Sequence, residues 1–178
     1  MDNQNDMETL VDFITGRPVP NVGAEANRQA LERILVEEKG YTASDIEVDA
    51  PISVDISGEV YHSRVDLVVR AGGGIIMCIK CAPGSLGSRE REIVAAARLL
   101  ASHQVPVAVV SDGSNAIVIE TASGKKIGEG LAAIPDRDAA EMQMKQFQPI
   151  PLPEERRKRE GLIFRSYDSM NVNRASVE

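Results

Sequence analysis

Two charged residues stand where buried strands should carry none. In "VDLVVRAGGGIIMCIKC", Val65 to Cys81, two runs of apolar and β-branched residues flank three glycines, and they carry Asp66 and Lys80. A carboxylate beside an ammonium suits phosphate chemistry. The first attracts a divalent cation; the second stabilises developing negative charge or positions a water. The plain structural alternative is an ion pair near a sheet edge. Buried charges are costly alone and tolerable as a pair.

Adjacency depends on register. Strand side chains alternate faces, so Asp66, Val68 and Arg70 share one face, and Cys78 and Lys80 share one face of the next strand. A three-residue loop over Gly72 to Gly74 pairs Ala71 with Ile75, Val68 with Cys78 and Asp66 with Lys80. A two-residue loop shifts the pairing by one and separates the charges.

Other residues could join them. Glu25 and Glu32 lie near one face of the predicted helix "GAEANRQALERILVEEKG", at the margin of the stripe Leu31, Ile34, Leu35. Glu25 falls in the first turn, where a carboxylate also favours the helix itself. "SRERE" puts Ser88, Arg89 and Arg91 at a helix start just after the Lys80 strand, a place suited to phosphate, with Ser88 as a candidate cap. Cys78 and Cys81 have C-x-x-C spacing, but in a strand they face opposite sides, which does not make a redox pair. No second cysteine pair exists for zinc, and His62 and His103 stand alone. "AGGGII" and "GSLGS" lack the residues of a nucleotide-binding loop. "SDGSN" has no partner histidine for a triad and reads as a turn.

The elements that must position these residues follow the order helix, three strands, helix, strand, strand, helix. "IEVDAPISVDI" alternates roughly, interrupted at Pro51; "VPVAVVSDG" reads as a central buried strand; "NAIVIETASGKKIGEG" reads as an edge hairpin; "DRDAAEMQMKQF" reads as a short helix. This is an α/β domain with a mixed central sheet flanked by helices. Residues 1–20 form an N-terminal helical extension around "METLVDFI", residues 21–150 the domain, and residues 151–178 a charged tail or a helix packing on another subunit.

Composition bounds the function. The chain has 178 residues, 43% apolar, with three Phe, three Tyr and no Trp, so the core is built from aliphatic residues. No apolar run is long enough for a membrane span, the acidic start does not read as a secretory signal, and two cysteines give no disulfide framework. A cytoplasmic protein is expected. A net charge of −7 argues against coating nucleic acid unspecifically, but leaves room for a small basic site. "RRKR", Arg156 to Arg159, reads either as a solvated helix face or as a nucleic-acid contact.

The stretches "EANRQALERILVEEKGY", "YHSRVDLVVRAGGGIIMCIKCAPGSLGSRERE", "AAARLL" and "VPVAVVSDG" resemble the N-terminal domain of type I restriction enzyme R proteins, and more narrowly the small stand-alone proteins carrying it. The resemblance runs from about Glu25 to Pro135. It implies a restriction endonuclease-like α-β-β-β-α-β core of the PD-(D/E)xK superfamily. It places Asp66 at the metal-binding aspartate, Lys80 at the lysine, and Glu25 at an extra acid in the first helix. The motif departs at its middle acid, because the triplet is Cys78-Ile79-Lys80, and a thiolate suits soft metals rather than magnesium. Glu92 is the nearest polar residue for the helix motif.

Three functions stay open. A metal-dependent endonuclease would hold Mg²⁺ or Mn²⁺ with Asp66 and Glu25, keep Lys80 by the attacking water, and steady phosphate with Ser88, Arg89 and Arg91. A DNA-binding relative would lack cutting and need no cofactor. A scaffold or interaction module would have no nucleic-acid role. The chain carries no helicase motor, so a helicase or restriction subunit would be a separate partner. A homodimer is expected of an enzyme that addresses both DNA strands.

Overall fold

The computed structural model describes residues 8–171. A short hairpin, β1 (Thr9–Val11) and β2 (Pro18–Pro20), precedes helix α1 (Glu25–Arg33), which continues into a π-helical turn over Ile34–Glu38. Then come β3 (Ile46–Ile56), β4 (Glu59–Ala71) and β5 (Gly74–Cys81), helix α2 (Glu90–Leu99), and strands β6 (Val107–Ser111), β7 (Ala116–Glu120) and β8 (Lys125–Glu129). Helices α3 (Arg137–Gln146) and α4 (Glu154–Asp168) follow. The large sheet has the order β3-β4-β5-β6-β7-β8, antiparallel except where β5 runs parallel to β6 across the α2 crossover. The run α1, β3, β4, β5, α2, β6 is the expected α-β-β-β-α-β core.

Two apolar layers sandwich the sheet. On one side Leu31 of α1, Leu35 of the π-helical turn and Ala140 of α3 pack with Leu67, Val69, Met77 and Ile79. On the other, Ile93 and Ala96 of α2 and Phe164 of α4 pack with Ile52, Val68, Cys78 and Ala108. β6 is buried from end to end, as its continuous apolar sequence requires. The outer strand β8 exposes lysines, which discourages edge-to-edge pairing.

The structure corrects several expectations. Residues 8–20 form the β1–β2 hairpin and not a helix; its two prolines sit in the edge of a two-stranded ribbon, where no ladder N–H is lost. The part of the expected helix over residues 1–7 lies outside the described residues, as does the tail over 172–178. Helix α4, within the stretch expected as an appendage, is part of the domain. α4 packs on α2 and β3 of its own chain, Gly161 lies so close that an added Cβ would sit 2.8 Å from Val54 Cγ1, and Arg98 makes a buried 2.6 Å ion pair with Glu160. β3 runs straight through Pro51, which an edge strand tolerates.

The interruption in β3 is at Asp49. Its φ is +52°, in the left-handed region that L-residues rarely enter. Before it, Ile46 and Val48 face the α1 side; after it, Ala50, Ile52, Val54 and Ile56 face the α2 side. Strict period-two alternation would keep all of them on one face. The left-handed residue therefore switches the phase of the strand, and β4 switches beside it, with Val65 on the α2 side and Leu67 on the α1 side. The ladder partners Val48–Leu67 and Ala50–Val65 place Asp49 opposite Asp66 at the crossover.

The β4–β5 turn also differs. It is a two-residue turn: Ala71 pairs with Gly74, and Gly72 and Gly73 have φ of +57° and +82°, the signs a tight primed turn demands. On that register alone Asp66 and Lys80 would part. A bulge repairs it. Arg70 pairs with Ile75 but Val69 pairs with Met77, so Ile76 is the extra residue, and Val68 meets Cys78 as expected from a three-residue loop.

Candidate functional site

The bulge brings the two charges together. Lys80 Nζ lies 3.6 Å from Asp66 Oδ2 and 3.4 Å from Glu92 Oε1 of α2. Lys80 and Glu92 are 7% and 2% exposed, so their charges are compensated inside the protein and not by water. Asp66 Oδ2 also accepts the backbone N–H of Cys81 at 2.8 Å. Glu92 accepts from Asn171 Nδ2 at 2.8 Å and lies 3.6 Å from Arg89 Nη1, which donates to Asn171 Oδ1 at 2.8 Å. Asp168 ties this group to the end of α4, taking a 2.7 Å bond from the Tyr61 hydroxyl.

A second network adjoins the first. Arg28 of α1 reaches Glu25 at 2.7 Å, Asp12 at 3.3 Å and Asp49 at 3.3 Å, with Glu32 at 3.8 Å. Burial pulls the Arg28 pKa down, but the Glu25 hydrogen bond and the surrounding carboxylates outweigh it, and the guanidinium is held more firmly protonated than usual. Glu25 also accepts from Gln29. Glu32, wholly buried, is pushed up to about 8, first by burial and then by the Asp12 carboxylate, with Arg28 pulling the other way. Asp49, held out by its left-handed backbone, bridges Arg28 to Arg64, which is 3.8 Å away.

Both networks open on one cleft of about 330 Å³. Its polar lining includes Glu25, Arg28, Asp49, Arg64, Asp66, Lys80 and Arg89. Val19, Pro20 and Val22 close one side, and Met170 and Asn171 also border it, so segments near both chain ends wall the site.

The expected residues divide on this geometry. Asp66, Lys80, Glu25, Arg89 and Glu92 gather at or directly behind the cleft. Ser88 and Arg91 do not: both are exposed, and neither borders it. Ser88 gives its hydroxyl to the Ser85 carbonyl, and Arg89 holds the N-cap position of α2 with no side-chain cap, because a 3-10 turn over Gly87–Arg89 leads into the helix. Cys78 points away into the apolar layer beneath α2, fully buried, and burial pushes its thiol far up. Cys81 is likewise buried and raised, by burial first and then by the Asp66 carboxylate.

Arg28, Asp49, Arg64 and Asn171 were not singled out from sequence. Arg28 had a visible signal, since it stands on the apolar stripe with Leu31 and Leu35 at helical spacing. Asn171 had none, because only the fold of α4 returns it to the site.

The donor set does not fit a divalent cation. Mg²⁺ demands near-ideal octahedral oxygen ligation. Asp66 faces Lys80 and a backbone N–H, Glu25 faces Arg28 and Gln29, and Cys78 offers a buried neutral thiol. Among the described residues no group of three or more His, Cys, Asp or Glu side chains could hold a metal ion.

The α-β-β-β-α-β core, with an aspartate and a lysine side by side on its neighbouring strands, defines a restriction endonuclease-like α/β domain. The family model for the type I restriction enzyme R protein N terminus matches residues 23–135, and the chain belongs to that family. No curated protein and no solved structure matches it significantly. The family points to a nuclease-related role. No helix among the described residues is long and apolar enough to cross a membrane.

Proposed function

We propose that this protein is a nuclease-fold module that binds DNA without cutting it. The observation that carries the reading is the closed charge balance of the cleft. Lys80 occupies Asp66 and Glu92, and Arg28 occupies Glu25. In an enzyme of this fold, such carboxylates would hold the metal. Cys78, two residues before Lys80 where the superfamily motif asks for an acid, contributes a buried thiol in place of an oxygen ligand. DNA contact then falls to the partly exposed guanidiniums at the mouth, Arg64 and Arg89, which would meet phosphate oxygens and carry no sequence information. A helicase or restriction subunit, or a second copy of this chain, would supply any further activity.

A second reading is an interaction module with no nucleic-acid role. The size of the cleft favours it, since about 330 Å³ suits a small group and not a duplex. One experiment separates these functions from an active nuclease. Labelled single-stranded, duplex and branched DNA is incubated with the protein and Mg²⁺ or Mn²⁺, beside Asp66→Ala and Cys78→Glu, and the same probes are titrated for binding. The expected result is binding without cleavage by the native chain. Cleavage by the native chain that disappears in Asp66→Ala overturns the proposal in favour of metal-dependent phosphodiester hydrolysis. Absence of binding to every probe moves the function to a protein partner.

A further inference from the structure

The cations of this acidic protein are not evenly partnered. Most arginines of the sheet and of α1 to α3 have a carboxylate in ion-pair reach, as Arg70 has Glu47 and Arg137 has Asp45. Arg156, Arg157, Lys158 and Arg159, consecutive on the first half of α4, have none among the described residues, although Glu154 and Glu155 precede them on the same helix. Arg156, Lys158 and Arg159 are exposed, and Arg157 is half-buried. Arg157 and Lys158 border a groove of about 500 Å³ between α4 and the β3–β4 turn. Ser53, Ser57 and Gly58 form its far wall; the carboxylates Asp55 and Glu154 border it too.

Four consecutive cations without an ion pair among the described residues, in a chain of net charge −7, form a local concentration of positive charge, with Asp55 and Glu154 at its margin. We propose that the first half of α4 is a second contact surface for the phosphate backbone of duplex DNA, distinct from the cleft; this rests on the DNA-binding reading above. A lipid surface would need an apolar face to insert. The inward face of α4 is already spent: Phe164 is buried and Gly161 abuts β3. The helix also sets the span. From Arg157 to Asp168, which reaches the cleft through Asn171, α4 advances about 16 Å at ~1.5 Å per residue. That matches about five base pairs along a strand at ~3.4 Å each. A duplex lying along α4 can therefore touch the basic half and the cleft mouth together.

The test uses the full chain and a labelled 20-base-pair duplex, titrated by anisotropy between 50 and 200 mM salt. Three proteins are compared: native, a variant with Arg156→Gln, Arg157→Gln, Lys158→Gln and Arg159→Gln, and a cleft variant with Arg64→Gln and Arg89→Gln. Glutamine has nearly the helix propensity of arginine and lysine, so an unchanged melting temperature in the α4 variant confirms that the fold is intact. Each lost phosphate contact lowers the salt slope by about 0.9. Consecutive helical positions point different ways, and Arg156 and Arg159 share a face, so the α4 variant is expected to lower it by about 2 and to bind at least tenfold more weakly. An unchanged slope and affinity there, with loss in the cleft variant, overturns this inference and leaves DNA binding at the cleft standing. No binding by the native chain overturns the DNA-binding reading itself. Binding to anionic phosphatidylglycerol vesicles that needs the four residues, without a DNA effect, overturns it in favour of a membrane surface.

Discussion

The closed charge balance of the cleft is tested most directly by removing its central cation. In Lys80→Met the side chain keeps its length and most of its packing, but Asp66 and Glu92 lose the ammonium that lies 3.6 and 3.4 Å away. Breaking a buried pair by deleting one partner costs about 3–5 kcal/mol, because it strands a buried charge. Two features reduce that figure here. Asp66 is 15% exposed at its side chain and keeps the Cys81 N–H, and Glu92 keeps Asn171 at 2.8 Å and Arg89 at 3.6 Å. The expected loss is therefore about 2–3 kcal/mol at pH 7, below the range for a fully stranded charge. At about 2–4 °C per kcal/mol for a chain of this size, the melting temperature should fall by ~4–12 °C.

A double-variant cycle identifies the cause. Adding Glu92→Gln to Lys80→Met should recover part of the loss, and the double-variant cycle should show coupling of about 1–3 kcal/mol. A loss under about 1 kcal/mol with no coupling to Glu92 would refute the reasoning, because Lys80 would then be a solvated side chain available to a ligand.

Other expectations follow from the same geometry. Glu32, raised to about 8, holds a proton in the fold that the unfolded chain releases above the ordinary carboxylate range, so folding stability falls as pH rises from about 4.5 to 8. Glu32→Gln should flatten that slope, as read by urea unfolding at pH 5.5 and 8; an unchanged slope refutes the assignment. At Asp49, glycine should be more stable than alanine, against the usual strand preference, because alanine keeps the left-handed strain that glycine relieves. Both variants lose the carboxylate, so their difference isolates the backbone, at about 0.5–1 kcal/mol or a few degrees of melting temperature. Arg98→Met leaves Glu160 without its 2.6 Å partner between α2 and α4 and should cost about 3–5 kcal/mol by denaturant unfolding. A loss under about 1 kcal/mol would show that α4 is not integral to the core.

The sequence made the core legible because it rests on local pattern. Runs rich in β-branched residues gave β4 and β5, the continuous apolar run gave β6, and helical spacing gave α1 and α2. It also placed Asp66 beside Lys80, though by a three-residue loop that the protein does not use. The observed two-residue turn and its bulge at Ile76 produce the same pairing, and no local preference distinguishes them in a run of three glycines. Asp49 was hidden for a related reason. A left-handed residue inside a strand breaks the alternation, but Pro51 nearby offered a more familiar cause. Glu25 entered as a metal ligand because the sequence shows its charge and not its partner. Arg28, on the next turn of the same helix, decides what that carboxylate can do.

On the non-cutting proposal, the site would depart from a metal centre by substitution of charge and not by loss of structure. Asp66, Glu25 and Glu92 each face a guanidinium or ammonium within 3.6 Å. A fixed cation in such a place does electrostatically what a bound ion would do for the fold: it neutralises acids that could not otherwise be buried. It does not offer open coordination positions to a water or a phosphate. On the non-cutting proposal, the ammonium neutralises these acids without activating water as a metal would. The strained backbone at Asp49 fits the same logic, because it sends one more carboxylate toward Arg28 and Arg64 at the strand crossover, where a relaxed residue would let the two guanidiniums repel. Restoring oxygen ligation would then take more than Cys78→Glu. The Cys78 side chain faces the apolar layer under α2, so a glutamate there would be buried among Val68, Ala108 and Ile93 before it could reach the cleft. Cys78→Glu alone should lower stability without creating metal-dependent cleavage.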